Sequence, residues 1–150
     1  MHVTILFAIL EKTDMQDSFE RQIDYLRISI TDRCNLKCIY CVPDKHPEYF
    51  EKSEILTGDE IIRFVRIVHK HGLMKVRITG GEPLMRSNMI SIVSEIKKIG
   101  IRDLSMTTNG IKLADKAAEL KRAGLDRVNI SLDTLDADRY STMTSGGNIQ

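Results

Sequence analysis

A short pattern that recurs three times constrains the fold of this 150-residue chain more than any other feature. Each copy runs glycine, aliphatic residue, any residue, charged residue, apolar, polar and apolar residue, and finally a hydroxyl residue. The copies occupy residues 72–79, 100–107 and 124–131. A glycine that ends a helix, followed by a short alternating strand, explains every position of the pattern. The chain is therefore predicted to pass from helix to strand three times.

Apolar residues at helical spacing precede each copy, which supports this interpretation. Thr57 and Glu60 have the spacing of a capping box at the start of the first helix, and Gly72 suits its end. An earlier strand is predicted over residues 26–31, directly before a cysteine-rich loop. Strands that alternate with helices favour a parallel sheet with right-handed crossovers. The apolar stripes are Ile61, Phe64, Val65 and Val68; Met89, Ile92, Val93 and Ile96; and Leu113, Ala117 and Leu120.

The predicted strands alternate between apolar and polar residues, although strands of a fully covered parallel sheet usually read as continuous apolar runs. The apolar face should meet the helices, so the polar face must meet water or a ligand. We infer a curved, barrel-like sheet with a polar interior; a one-sided sheet with its polar face in solvent is the alternative. The polar positions are Arg27, Ser29, Thr31, Arg77, Thr79, Ser105, Thr107, Asn129 and Ser131. The apolar ones are Leu26, Ile28, Ile30, Val76, Ile78, Leu104, Met106, Val128 and Ile130.

The polar motifs of the chain all follow a predicted strand. They are the cysteine loop after Thr31 and the segments 79–83, 107–110 and 131–133. The carboxyl ends of parallel strands meet at one edge of a sheet, where the chemistry of such folds is usually found. We therefore expect one functional site at this edge.

Cys34, Cys38 and Cys41 have the spacing C-x3-C-x2-C, and they are the three cysteines of the chain. An odd, clustered set is a poor disulfide framework and a good metal site. Three thiolates can hold three irons of a [4Fe–4S] cluster, which leaves the fourth iron without a protein ligand. A structural zinc ion is the alternative, but it needs a fourth ligand, for which His46 is the nearest spare residue. A redox-active thiol pair is less favoured, since no C-x-x-C stands alone.

The cysteine spacing, with Tyr40 before the last cysteine, resembles the radical S-adenosylmethionine (SAM) superfamily. The resemblance implies that the free iron binds SAM and that an electron from the cluster releases a 5′-deoxyadenosyl radical. The superfamily uses a Gly-Gly-Glu turn for the amino group of SAM, and Gly80, Gly81 and Glu82 match it. Two glycines after a strand let a backbone approach a ligand closely, although a plain turn before a helix begun by Pro83 would look the same.

Longer segments resemble the family of GTP 3′,8-cyclases of molybdenum-cofactor biosynthesis, namely residues 17–34, 77–86, 107–110 and 129–134. This resemblance implies a radical SAM lyase that abstracts the ribose 3′ hydrogen of GTP, after which the carbon radical attacks C8 of guanine. Carried over by position, the SAM contacts are Tyr40, Gly80, Gly81, Glu82 and Ser131, and the GTP contacts are Arg27, Arg77 and Thr107. A guanidinium suits a polyphosphate because it is always charged and presents forked donors. Structural ion pairs of the two arginines, with Asp24 or Glu82, are the alternative.

The expected fold is thus an α/β partial (β/α) barrel of the radical SAM type, with about four of six units and truncated before a C-terminal extension. We expect residues 1–14 to be an extension, with Met15 as the true start, and residues 15–150 to form an incomplete core domain. Later strands and a second cysteine set of the family are absent from the 150 residues. This chain by itself is therefore predicted to bind a cluster and SAM without completing GTP cyclisation.

The composition sets the remaining expectations. A net charge of +1 gives no reason to expect a nucleic acid or an acidic membrane as partner. No apolar run approaches the roughly 18 residues of a membrane span, and a cytoplasmic location is expected. The predicted partners are GTP and a one-electron reductant, while a homodimer is left open. Two other functions stay open at this point: a radical SAM enzyme that modifies peptides, and a non-catalytic zinc-binding module.

Overall fold

The computed structural model describes residues 15–42 and 49–149. The expectations for residues 1–14 and for His46 lie outside these residues. In the described part the chain forms four strands, four α-helices and a single 3-10 turn. These are β1 (Tyr25–Ser29), α1 (Gly58–His69), β2 (Lys75–Thr79), the 3-10 turn (Pro83–Met85), α2 (Met89–Ile99), β3 (Asp103–Thr108), α3 (Leu113–Ala123), β4 (Arg127–Ile130) and α4 (Ala137–Met143).

The strands form one parallel sheet in the order β1-β2-β3-β4, as predicted. The order follows the chain because each helix returns the backbone to the next strand position. The register sets Arg27 beside Arg77, and Arg77 beside Ser105. Three polar side chains therefore form a row across one face of the sheet, which is the predicted polar face.

Helix boundaries follow the sequence signals. The hydroxyl of Thr57 accepts a hydrogen bond from the amide of Glu60, and the Glu60 carboxylate accepts one from the amide of Thr57, so the capping box is complete. Gly100 and Gly124 cap α2 and α3 in the left-handed conformation. The first helix ends earlier than Gly72, at His69.

The core lies between the apolar face of the sheet and the helices α1, α2 and α3. Burying an aliphatic side chain completely stabilises the fold by roughly 1.5–3 kcal/mol, so this layer is its main source of stability. The layer combines Ile28, Ile30, Val76, Ile78, Leu104 and Met106 from the strands with Ile61, Val65, Ile92, Val93, Ile96 and Leu120 from the helices.

The last strand departs from the prediction. Ile130 was expected on the helix-covered face, but its side chain is 57% exposed, so that expectation is wrong. β4 is the edge strand of the sheet, so it has a neighbouring strand on one side only. Helix α4, which the sequence patterns do not predict, lies instead against the cysteine loop, where Ile39 donates its amide to the carbonyl of Met143 (2.9 Å).

None of the helices in the described residues is both long enough and apolar enough to cross a membrane.

Candidate functional site

A cavity of about 230 Å³ opens at the carboxyl edge of the sheet, where the motifs were predicted to meet. It brings together the cysteine loop, the ends of β2, β3 and β4, and helix α4. Its lining residues are Cys34, Leu36, Cys38, Tyr40, Cys41, Thr79, Gly80, Gly81, Glu82, Thr107, Thr108, Asn109, Ser131, Asp133, Tyr140 and Thr144.

The two glycines after β2 dock the cysteine loop onto the sheet. A Cβ atom on Gly80 would lie 2.5 Å from the carbonyl oxygen of Thr31, and one on Gly81 would lie 2.3 Å from the carbonyl oxygen of Arg33. Backbone bonds use this closeness: the amides of Gly81 and Glu82 donate to the carbonyls of Thr31 and Arg33, both at 2.7 Å. Both positions therefore require a residue without a side chain.

The cysteine loop is ordered by its own backbone and by helix α4. The amides of Cys41 and Val42 both donate to the carbonyl of Cys38 at 2.9 Å. The amide of Leu36 donates to the Cys34 sulfur at 3.4 Å. All three cysteines are free thiols; Cys34 and Cys38 are partly buried and Cys41 is exposed. Burial raises the pKa of the Cys34 thiol, the amide of Leu36 opposes the shift, and the negative charge of Glu82 adds to it.

The three thiols lie on one loop that lines the cavity, and they are the donor set of the proposed site. Within residues 15–42 and 49–149, no three His, Cys, Asp or Glu side chains are already gathered around one point as ligands of a single ion. A structural zinc ion takes four ligands, whereas three thiolates suffice for three irons of a cubane. A cubane takes each thiolate at a separate iron, so its ligands need not converge on one point.

Glu82 lies at the centre of a buried network that joins the turn after β2 to the turn after β3. Its side chain is 1% exposed. One carboxylate oxygen accepts from the Thr108 hydroxyl (2.7 Å) and the Leu84 amide (3.0 Å), and the other accepts from the Asn109 amide (2.8 Å). Each contact is a donor, as an acceptor-only carboxylate requires. The carboxylate therefore holds the two turns at a set distance.

Asn109 continues the network to the cysteine loop. Its side-chain amide donates to the Asn35 side-chain oxygen at 2.8 Å and lies 4.0 Å from the sulfur of Cys34. The Asn109 oxygen in turn accepts from the amide of Ile111 at 3.1 Å, which sets the orientation of the group. A chain of hydrogen bonds thus runs from Glu82 to the first cysteine.

Two tyrosines lie on the other side of the cavity. The hydroxyl of Tyr40 donates to Asp133 at 2.6 Å, and this bond is the main cause that raises the pKa of Tyr40. Tyr140, on α4, is buried, and burial raises the pKa of its hydroxyl. Both side chains therefore enter the site as neutral phenols at ordinary pH.

Arg27 and Arg77 lie on the polar face at mid-strand, before the carboxyl ends of β1 and β2, and do not line the cavity. Arg77 contacts the Ser105 hydroxyl at 3.5 Å and the ring of Tyr25. The two carboxylates that were considered as their partners bind other groups. Asp24 forms an ion pair with Lys75 (2.9 Å), and the Glu82 carboxylate accepts its hydrogen bonds from the neutral donors given above. Neither arginine has a carboxylate partner among the described residues, so the ion pairs considered from the sequence do not form there.

The cavity brings together all the residues singled out for the metal and SAM, and Thr107 with them. Thr108, Asn109, Asp133 and Tyr140 also line it, although the sequence patterns assigned them no role. Functional residues of parallel sheets usually follow the carboxyl ends of the strands, and this rule already marked the segments 107–110 and 131–133. It could therefore have identified Thr108, Asn109 and Asp133. Tyr140 lies on the unpredicted helix and had no such signal.

Known proteins resemble this chain at the levels of fold and sequence. A GTP 3′,8-cyclase of Lactiplantibacillus plantarum is 53% identical over 137 residues, which is 91% of this chain and 41% of that protein. One from Petrotoga mobilis is 52% identical over 134 residues, covering 89% of this chain and 42% of its own length. The chain spans about two fifths of the length of these curated relatives.

Solved structures and a family profile complete the comparison. Streptococcus suis SuiB, bound to the precursor peptide SuiA, matches 82% of this chain and 27% of its own, with a TM-score of 0.68 and 22% identity. BtrN, in complex with AdoMet and 2-DOIA, matches 73% of this chain and 46% of its own, with a TM-score of 0.53 and 19% identity. These two show the fold alone. The profile of the radical SAM superfamily matches residues 28–150, and the chain belongs to that superfamily.

Proposed function

We propose that this chain is the part of a GTP 3′,8-cyclase that binds the cluster and SAM, in the first step of molybdenum-cofactor biosynthesis. The observation that carries the proposal is one cavity lined both by three free thiols and by the ends of three strands. Relatives about half identical in sequence are GTP 3′,8-cyclases, which supports this activity over that of other members of the superfamily.

Cys34, Cys38 and Cys41 are the proposed ligands of three irons of a [4Fe–4S] cluster. The fourth iron would be left to SAM, whose amino group needs acceptors beside it. The carbonyls of the turn at Gly80 and Gly81 supply such acceptors, with the negative charge of Glu82 beneath them. Tyr40 and Ser131 line the cavity on its other sides, where they would contact the rest of SAM.

Arg27, Arg77 and Thr107 are the proposed contacts of GTP. The register places Arg27 beside Arg77 on the polar face, and neither is bound to a carboxylate in the described residues. Two adjacent guanidinium groups that form no ion pair in the described residues suit a triphosphate, which presents several oxygens to their donors. Thr107 lies in the cavity itself, between this row and the cysteines.

The chemistry that a cluster with SAM supplies when bound is hydrogen-atom abstraction from the substrate. Such a step needs no protein general base, and the polar face offers none to GTP at Arg27, Arg77 and Thr107. The chain's own contribution is therefore to bind, to orient and to exclude water. The one-electron reductant and the cytoplasmic location remain parts of the proposal, and a homodimer stays open. So does the division into an extension (1–14) and a core domain (15–150).

The decisive experiment is dithionite-dependent formation of 5′-deoxyadenosine by the anaerobically reconstituted chain. We expect iron and sulfide to be incorporated, and SAM to be cleaved only when dithionite is present. Cys38→Ser should lose both the cluster and the cleavage, while Ser53→Ala, which changes an exposed hydroxyl outside the cavity, should lose neither. Incorporation of one zinc ion per chain, without iron, would contradict the proposal.

A second measurement tests whether these 150 residues suffice for GTP cyclisation. The 150-residue chain, supplied with SAM, dithionite and GTP, should yield 5′-deoxyadenosine and no cyclised nucleotide. Appearance of the cyclised product would show that these residues suffice for the whole reaction.

A further inference from the structure

The buried carboxylate of Glu82 has no cationic partner. It is 1% exposed and accepts hydrogen bonds from one hydroxyl and two amides, all of them neutral groups. None of the ion pairs formed by the described residues includes it. The hydrogen bonds stabilise the carboxylate in place but leave its net negative charge uncompensated.

That charge lies beside the cysteine ligands. Glu82 lines the same cavity as the three thiols, and the Asn109 that it holds reaches to 4.0 Å from the Cys34 sulfur. Charges inside a protein are screened much less than charges in water or in salt solution. Glu82 therefore acts on the electrostatic potential at the cluster position more strongly than an exposed acid would.

A nearby negative charge disfavours the addition of an electron. Net charge, hydrogen bonds to sulfur and solvent exposure set the reduction potential of an iron–sulfur cluster. The backbone amide of Leu36 and the side-chain amide of Asn109 are directed at the Cys34 sulfur. These two donors favour the added electron and so raise the reduction potential. The balance between these groups decides how strong a reductant the one-electron-reduced cluster becomes.

We propose that the buried carboxylate of Glu82 lowers the reduction potential of the cluster held by Cys34, Cys38 and Cys41. The reduced cluster is then a stronger one-electron donor to SAM. This inference rests on the proposed function, because it requires the cluster. Glu82 is a positioning residue, because it would act on SAM only through the cluster and through Asn109. Both of its carboxylate oxygens already accept hydrogen bonds from the protein.

The charge can be removed with little change in shape by Glu82→Gln. The new amide can accept from the Asn109 amide with its oxygen and donate to the Thr108 hydroxyl, which rotates to accept. The bond from Leu84 is the one lost. Two variants keep the charge and disturb the network instead: Glu82→Asp shortens the side chain, and Thr108→Val removes one donor.

The measurement is the midpoint potential of the anaerobically reconstituted cluster, followed by electron paramagnetic resonance during titration with dithionite. Glu82→Gln should shift the potential upward relative to the unchanged chain. Glu82→Asp and Thr108→Val should leave it nearly unchanged, while lowering the urea midpoint of the cluster-free chain. Because the potential is measured without SAM, it does not depend on turnover.

The outcomes separate this inference from the proposed function. A chain that takes up no iron contradicts the proposed function, and this inference with it. A cluster whose potential is the same in Glu82→Gln contradicts this inference alone. Should Glu82→Gln not retain its cluster, an upward shift in either of the other two variants would still contradict this inference, because it would show that geometry, and not charge, sets the potential.

Discussion

The hydroxyl of Tyr40 donates a 2.6 Å hydrogen bond to the carboxylate of Asp133, 93 residues further along the chain. The bond joins the cysteine loop to the segment that follows β4 and closes one side of the cavity. Tyr40 is itself 61% exposed, so the bond and not burial is the main reason that its pKa rises. Asp133, which the sequence placed at this edge without a role, thereby influences a residue of the proposed cofactor site.

The raised pKa of Tyr40 predicts its behaviour in alkali. A raised folded-state pKa means that the contribution to stability is present below the unfolded value, about 10 for tyrosine, and is lost as the pH rises towards the folded value. The contribution of Tyr40 to the tyrosinate absorbance is obtained by subtracting the titration curve of Tyr40→Phe from that of the unchanged chain. This difference should show no transition near pH 10. Asp133→Asn, which keeps an acceptor and removes the charge, should move that transition down. A Tyr40 transition near pH 10 in the unchanged chain would contradict the prediction.

Gly81→Ala should separate the cysteine loop from the sheet. Its Cβ would lie 2.3 Å from the carbonyl oxygen of Arg33, and rigid overlaps of this kind cost about 1–3 kcal/mol. We expect a lower free energy of unfolding in urea together with reduced iron uptake on reconstitution.

Gly146→Ala is the matched control for that substitution. Gly146 has a φ of +102° and nothing within 4 Å of a new Cβ, so the change carries backbone strain but no collision. It should cost about 1–2 kcal/mol of stability while iron uptake is retained. Equal iron uptake by the two variants would show that the close approach at Gly81 does not position the cysteines.

Arg27→Ala and Arg77→Ala should each weaken GTP binding. A hydrogen bond to a charged group contributes about 1.5–3 kcal/mol, which corresponds to a loss of roughly tenfold to a hundredfold in affinity. Calorimetric titration of the reconstituted chain with GTP is the measurement. Stability should change little, because neither arginine pairs with a carboxylate in the described residues. Arg63→Ala, on the exposed side of α1, is the control of equal charge, and an equal loss of affinity there would point to nonspecific attraction.

The ion pair between Asp103 and Arg127 predicts part of the acid sensitivity. Arg127 donates to both carboxylate oxygens, at 2.9 and 2.6 Å, and these hydrogen bonds lower the pKa of Asp103. A lowered folded-state pKa gives stability that is present above the unfolded value, about 3.9, and is lost as the pH falls through the folded value. Asp103→Asn should cost about 0.2–1 kcal/mol at neutral pH and flatten the stability curve below pH 4 or so.

The control for Asp103 is Glu95→Gln, which breaks the exposed pair of Glu95 with Lys98 (2.7 Å) inside one helix. That variant should leave the acid limb of the urea-midpoint curve as it is. An unchanged acid limb in Asp103→Asn would mean that the pair between β3 and β4 does not contribute to stability.

Much of the architecture could be predicted because its signals are local. The glycines that end α2 and α3 and the capping box at Thr57 and Glu60 act within a single turn of backbone. The predicted strands follow at the expected spacing and pair in chain order. The exposure of Ile130 could not be predicted, because an alternating pattern does not reveal whether a helix covers the strand.

The sequence by itself determined the order of strands and helices, the three thiols and the sheet edge at which the motifs meet. Periodicity, capping and the parallel connection are properties of neighbouring residues, so they can be read without coordinates. Only the tertiary structure decided that Glu82 holds Asn109, 27 residues away, and that Tyr40 meets Asp133. Such contacts depend on how separate loops approach one another across the cavity. The burial of Glu82 without a cationic partner in the described residues likewise results from the residues packed around it, and a glutamate in a sequence does not reveal it.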